Sequence, residues 1–329
     1  MEQEKRRPWR RWVLLALLIV GFYLGGMFVP VQPEITVAPE KLIEEPIFEN
    51  FLGFAGPFYL VNTLPTLILT VVLLLIFAYA VNRSLKKSAQ TDLVPRGIGN
   101  ATEAILEVIY NMTEGAAGRW VKTIFPWFAT IMIYVLFANL LKLIPGFESI
   151  GVLHHTAPGH EGHAKELLAG NWYLFTAEKG EYILAPFFRG ISVDLNFTFT
   201  LALLAVIAIQ VVGFRAHGWG YLTKFFNFGG IFKKPVFGVI DMFMGILELI
   251  SEFAKILSFA FRLFGNMFAG IVLVSVFGAL LGKISIVPAA IYLFELFIGI
   301  IQAFVFGILT MVFMVMATQG HGGEEHAKH

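Results

Sequence analysis

The chain alternates long apolar runs with short polar ones. Read for hydropathy, it gives about six membrane spans. They are Trp12–Val29, Pro57–Val81, about Ile124–Ile144, about Ile191–Phe214, Val239–Leu281 and Val287–Ala317. A backbone exposed to lipid must satisfy its own hydrogen bonds, so these runs predict helices. One perpendicular crossing takes about 20 residues. The fifth run is too long for that. Between the second and third spans, Pro95–Gly118 has a different pattern. Ile98, Ala101, Ile105, Val108, Ile109 and Met112 recur at helical spacing, with Glu103, Glu107 and Glu114 elsewhere. That pattern predicts an amphipathic helix at the membrane surface, or one packed between spans.

Polar residues inside the apolar runs are also periodic. In the fifth run, Glu248, Ser251, Glu252, Lys255, Ser258, Arg262 and Asn266 follow one another at steps of one, three or four residues. From Glu248 to Arg262 the stripe is about 21 Å long on one helix face. A helix so marked cannot face lipid all round. Arg262 is its costly element, at roughly 2.5–3.5 kcal/mol in mid-membrane on insertion scales. Its guanidinium cannot neutralise itself. The nearest acid on its own stripe is Glu252, ten residues back. It could snorkel to the interface or pair with Glu295 on the next helix. In the last span, Glu295, Gly299, Gln302, Phe306 and Thr310 share a face. A carboxyl and an amide two turns apart suit an ion path, or an interhelical hydrogen bond. The fourth span opens with Ser192, Asp194, Asn196, Thr198 and Thr200, polar at alternate positions. These mark either the mouth of a path or a helix cap.

Composition agrees with the spans. Of 329 residues, 57% are hydrophobic and 14% charged, against about 25% charged in soluble domains. The mean hydropathy is +0.75. The net charge of +1 points to no nucleic-acid partner. With no cysteine, disulfide and thiolate chemistry are excluded. Charge distribution says more than net charge. Basic clusters precede the first span (Lys5, Arg6, Arg7, Arg10, Arg11), follow the second (Arg83, Lys86, Lys87, Arg96) and follow the fourth (Arg215, Lys224, Lys233, Lys234). By the positive-inside rule these lie in the cytoplasm, with both termini. The acidic segments 30–56 and 145–190 then face outward. The first span, with its basic start and apolar core, reads as an uncleaved anchor because no Ala-x-Ala site follows it, with a cleaved signal peptide as the alternative.

The domain reading is a membrane anchor over 1–30, an outer segment over 31–56, the second span with its amphipathic helix over 57–123, and a core over 124–329. The fold class is an all-α polytopic membrane protein. Histidines 154, 155, 160 and 163, and 321, 326 and 329, fit solvated loops better than a metal site. No phosphate loop, zinc motif or nucleophile elbow occurs, so neither a cofactor nor catalysis by the chain itself is expected. Asn111-Met-Thr113 and Asn196-Phe-Thr198 match the glycosylation pattern, but one falls in the cytoplasm and the other in the membrane.

The run RLFGNMFAG (262–270), preceded by LELISEFAKILSF (247–259) and followed by FELFIGIIQAFVFGILTMVF (294–313), closely resembles subunit a of F-type ATP synthases. SVDLNFTFTLAL (192–203) resembles the same family. The resemblance covers about residues 50–318 and implies a stator beside a rotating ring of c-subunits, held by b-type stalk subunits within the larger synthase, in an energy-coupling membrane such as the bacterial plasma membrane. It implies that the fifth and sixth spans form a long tilted helical hairpin against that ring, and that Arg262 is the essential arginine between two aqueous half-channels. Glu248, Ser251, Lys255 and Ser258 match the cytoplasmic half-channel. Asn266, Gln302 and position 295 match the outer one, to which the polar start of the fourth span, Asp194 and Asn196, is added. One departure stands out. Many bacterial members carry a carboxylate where this chain has Ile271, and a histidine where it has Glu295. The resemblance implies that positions 271 and 295 are neighbours on antiparallel helices. Two other functions compete: a secondary ion-coupled transporter, and a non-conducting membrane assembly protein. The first usually carries repeats or broken helices, which are not evident. The second leaves the polar stripes without a reason.

Overall fold

The computed structural model describes residues 37–43, 45–49, 56–91, 97–144, 147–155, 162–169, 172–225, 235–281 and 286–319. The expected first span lies outside them. Among the described residues are six helices. They are α1 (Thr63–Thr91), α2 (Ile98–Ala117), α3 (Val121–Leu141), α4 (Leu195–His217), α5 (Pro235–Leu281) and α6 (Ile286–Thr318). Five helical stretches are long and apolar enough to cross a membrane, and they match the second to sixth expected spans. α5 has 47 residues and α6 has 33. At 1.5 Å per residue they are about 70 and 50 Å long. A hydrocarbon core is about 30 Å thick, so the hairpin they form must lie oblique to it.

Apolar side chains drive no association between helices already in lipid, so close packing must. α6 carries a stripe built for it. Gly299, Ala303 and Gly307 recur every four residues and all are buried. α3 lies along that stripe, and the two make the broadest helix pair in the bundle. A Cβ added at Gly307 would sit 2.8 Å from the Phe128 ring, and one at Gly299 would sit 3.3 Å from the Asn139 Cβ. α4 fills the other side with Ala202, Ala205 and Ala208, all buried. The core closes on Phe128 and Val135 of α3, Ile209 of α4, Phe259 and Leu263 of α5 and Phe306 and Met314 of α6.

α2 packs differently from its sequence pattern. Gly99, Thr102, Ile109, Thr113 and Ala117 form the buried face. Ile98, Ile105, Val108 and Met112 point away from the bundle. The small and hydroxyl residues permit close contact because Thr102 and Thr113 return their hydroxyl protons to the carbonyls of Ile98 and Ile109. The larger apolar residues are left for the surroundings, as an interfacial helix requires.

The connection from α3 to α4 holds a four-stranded antiparallel sheet that hydropathy did not foretell. Its strands are β1 (Gly151–His155), β2 (Gly162–Ala169), β3 (Trp172–Gly180) and β4 (Tyr182–Pro186), in the order β1-β4-β2-β3. β1 and β4 register from Gly151 opposite Pro186 to His155 opposite Tyr182. The sheet thus brings the ends of α3 and α4 together at one end of the bundle.

The glycine stripe makes a stability prediction. Gly307→Leu forces a side chain into the Phe128 ring and should destabilise the subunit by about 1–3 kcal/mol. At Gly115 a new Cβ meets nothing within 4 Å, so Gly115→Ala on the exposed side of α2 should stabilise by roughly 0.5–1 kcal/mol. Thermal unfolding of the detergent-purified assembly measures both. Equal melting temperatures would show that the α3–α6 contact does not depend on this close approach.

Candidate ion-path site

The polar stripe of α5 divides in the folded chain. Ser251, Ser258, Arg262 and Asn266 lie exposed along the outer surface of the bundle. Glu252 turns inward and is 7% exposed, while Glu248 and Lys255 are half-buried. The division follows from the helix itself. Glu252 shares its face with the buried Ile256, Phe259, Leu263, Met267 and Gly270, and that face is held against α4 and α6.

At one end of the bundle these inward acids meet lysines. α4 ends at Gly218, where φ is +58°, a backbone conformation that suits glycine. A 3-10 segment, Gly218–Lys224, then folds back. It places the Lys224 ammonium 2.6 Å from Glu248 and 3.4 Å from Glu252. Lys255, one turn along α5, reaches the same oxygen of Glu252 at 2.8 Å. The second oxygen of Glu252 is buried and accepts no hydrogen bond among the described residues. Glu252 and Gln210 line a cavity of about 590 Å³ beside this cluster. Tyr221 donates its hydroxyl to Gln210 at 2.7 Å.

A second polar cluster occupies the other end, where α3 leaves the bundle and α4 enters it. Glu295 is 5% exposed and Gln302 is 8% exposed. Gly299, Phe306 and Thr310, which share their face, are buried too. The carboxylate of Glu295 lies across Gly270, where any side chain would collide with it, and Ile271 is the next residue. Lys142 faces it at 3.5 Å. Asn139 donates to the carbonyl of Gly299 at 3.0 Å and accepts from the Ser192 hydroxyl at 2.7 Å. Asp194 caps α4, accepting from the Asn196 backbone N–H at 2.9 Å and from the Thr63 hydroxyl of α1 at 2.9 Å. It therefore has a complete structural task. Asn196 itself is exposed.

Glu148, in the turn that follows α3, joins this cluster from outside the spans. Burial pushes its carboxyl above the usual range. The Gly190 N–H, which donates to it at 3.1 Å, and the charges of Lys142 and Arg189 pull in the opposite direction. Glu295 adds to the upward push. Sequence reasoning missed Asn139, Lys142 and Glu148. A lysine at the end of a span and a glutamate in a loop look like interface residues, and their inward turn has no periodic signature.

Arg262 lies between the two clusters on the α5 cylinder. It is seven residues from Lys255 and five from Met267, or about 10 and 8 Å along the axis. Its guanidinium donates to Ser258 at 3.5 Å and forms no ion pair among the described residues. Pairing with Glu295 does not occur, since that carboxylate is held by Lys142 inside the bundle.

The sequence profile of the family described as ATP synthase A chain matches residues 64–315. "ATP synthase subunit a, sodium ion specific" from Propionigenium modestum is 29% identical over 284 residues, covering 84% of this chain and 80% of that protein. "ATP synthase subunit a" from Helicobacter pylori strain Shi470 is 31% identical over 247 residues, covering 72% of this chain and 85% of that one. The protein of the same name from Helicobacter acinonychis strain Sheeba is 30% identical over the same length. With five described helices able to cross a bilayer and a profile match over most of its length, the chain is an integral membrane protein that belongs to the ATP synthase A chain family.

Proposed function

We propose that this chain is the ion-translocating stator of a rotary F-type ATP synthase, with Arg262 as the fixed charge between two half-channels. One observation carries the reading. Arg262 is exposed on the bundle surface and has no ion pair among the described residues, and each neighbouring acid on α5 and α6 is already held by lysine. The missing anion arrives from outside, on a ring of c-subunits that each carry a mid-membrane carboxylate. A ring carboxylate facing Arg262 must be ionised. It therefore releases its proton on one side and reloads on the other. The fixed cation also repels protons and blocks a direct leak between the channels. Each charge moved across the membrane yields about 2.3 kcal/mol per 100 mV, which rotation delivers to the catalytic head. Gly265, Ala269 and Asn266 are exposed beside Arg262, and small residues there let the ring approach closely.

In this reading Glu248, Ser251, Lys255 and Ser258 belong to the cytoplasmic half-channel. Glu295, Gln302 and Asn266 belong to the outer one, with Asp194 and Asn196 at its mouth. By the positive-inside rule the basic segments support both termini on the cytoplasmic side of a bacterial plasma membrane, and b-type stalk subunits hold the chain against the torque of the ring. Residues 1–30 form the anchor, 31–56 the outer segment, 57–123 the second span with the interfacial helix, and 124–329 the conducting core.

Three experiments test this assignment. Arg262→Ala should abolish ATP-driven proton pumping in reconstituted vesicles while the subunit still inserts. Arg262→Lys should be severely impaired, because a lysine enclosed between this surface and the ring can lose its proton and lacks the guanidinium fork. Normal pumping by Arg262→Ala would remove the mechanism.

The absence of native cysteine makes water access easy to map. Cysteines placed singly at Glu248, Ser251 and Ser258 should react with Ag⁺ or an impermeant thiol reagent from the cytoplasmic side. Cysteines at Leu249 and Leu257 should react at least tenfold more slowly. Equal rates at all five positions would dismiss the channel assignment.

Glu295→Gln keeps shape and hydrogen bonding but removes the titratable group. Passive proton conductance through the stripped membrane sector should fall at least tenfold. Wild-type conductance in this variant would assign the outer path to another group, with Glu148 or Asp194 as the remaining acids of that end.

A further inference from the structure

Lys142 ends α3 at the outer cluster and belongs to none of the polar stripes read from the sequence. A lysine there has a stem long enough to snorkel to the interface. It turns inward instead and is 8% exposed. Its stem runs beneath Gly190, where an added Cβ would sit 3.2 Å from the Lys142 Cβ and Cδ atoms. Its ammonium stands 3.5 Å from the Glu295 carboxylate of α6 and 3.4 Å from the Met267 carbonyl of α5. One charge thus ties three helices together at the acid of the outer path. The charged and titratable groups around that acid are Lys142 from α3, Glu148 and Arg189 from the segments flanking the sheet, and Tyr292 on α6 itself.

Resting on the reading of Glu295 as the outer acid, we propose that Lys142 is a positioning residue of the ion path, whose ammonium holds the Glu295 carboxylate over Gly270 and against α5. Distance separates holding from relaying. Charge-assisted N–H···O bonds that share a proton tightly lie at about 2.7–2.9 Å. At 3.5 Å the contact is Coulombic attraction, strong because both groups are buried. The proposed requirement is therefore a positive charge of similar reach at this place. The pair also explains how a lone carboxylate can work in this end of the bundle without a histidine beside it. Lys142 offsets its charge while the Met267 carbonyl fixes the ammonium, so the carboxylate stays where residues 270 and 271 of α5 pass it. Without the cation, an isolated buried carboxylate would either take up a proton permanently or turn toward water.

The test is passive proton conductance through the membrane sector of the complete complex, expressed per assembled complex. Lys142→Arg keeps a permanent charge on a stem of similar length and should retain at least half of wild-type conductance. Lys142→Gln and Lys142→Met should lose at least tenfold. Comparable loss in the arginine and glutamine variants would overturn the proposal, because it would show that the ammonium must give up its proton. Wild-type conductance in Lys142→Gln would overturn it too, by showing that the charge is idle. If the neutral variants fail to assemble, the arginine variant decides alone: retained conductance supports positioning and lost conductance refutes it. Glu295→Gln, measured alongside, keeps the two readings apart. Wild-type conductance there removes the outer acid itself, whereas its loss together with unchanged Lys142→Gln removes only the role of Lys142.

Discussion

A cation that cannot lose its proton, standing on a membrane helix with no ion pair among the described residues, is the constraint to which the rest of the fold answers. An arginine at mid-membrane costs roughly 2.5–3.5 kcal/mol, against a net stability of about 5–15 kcal/mol for a whole domain. That position survives because the opposite face of α5 is anchored. Phe259, Ala260, Leu263 and Met267 are all at most 2% exposed, and Phe259 packs on the rings of Phe306 and Phe313 of α6. With the back of the helix fixed, the guanidinium cannot rotate into the bundle toward Glu295 or Glu252. Those acids are moreover already engaged by lysine.

Anchoring of this kind has to come from shape. Gly299, Ala303 and Gly307 bring α3 close to α6, and that approach sets the chemistry as well as the packing. Asn139 reaches the Gly299 carbonyl because no side chain stands between them. Three residues on, Lys142 reaches Glu295 from the same helix. Gly270 plays the matching part on α5, leaving room for the carboxylate where even a methyl group would collide. Small residues therefore do two tasks in this bundle. They join helices in lipid, where apolar burial supplies no drive, and they clear the space in which the polar atoms meet.

Hydropathy made the spans and the length of the hairpin legible, because both are set by bilayer thickness. Period 3.6 made the stripes of α5 and α6 legible, and an arginine inside an apolar run is conspicuous without any alignment. What escaped depends on pairing between distant segments. The division of the α5 stripe is decided by which face meets α4 and α6, so equal spacing from Glu248 to Asn266 could not show that Glu252 turns in while Ser251 stays out. Lys142 and Glu148 lie just beyond a helix end, where charge is ordinary. The sheet did leave a trace in the sequence: the hairpin dipeptide Gly170-Asn171 is followed at once by the strand-forming aromatics Trp172, Tyr173 and Phe175. Its signal was swamped by the charged residues around it, and a reading tuned to 20-residue apolar runs passes over nine-residue strands. Asp194 was legible both as a cap and as a path residue. The bond from the Asn196 N–H makes it a cap in the strict sense.

The two acidic clusters solve one electrostatic problem in two ways. At the end bearing the 3-10 segment, Glu252 is held by Lys224 and Lys255 while one of its oxygens remains unbonded beside a cavity. Buried carboxylate oxygens are expensive to leave unpaired, so this oxygen is suited to water entering from that side. At the sheet end, Glu295 is held by one lysine, in a row where acids and bases alternate from Glu295 through Lys142 and Glu148 to Arg189. Neither cluster has surplus positive charge close enough to satisfy a second acid, and neither has a surplus acid that reaches Arg262. Local neutrality at both ends is what leaves the arginine's field uncancelled on the exposed face. On the proposed function, a compensating carboxylate on that face would remove the reason for an ionised partner to come from outside. The pairing inside the bundle and the absence of pairing on its surface are therefore parts of one arrangement.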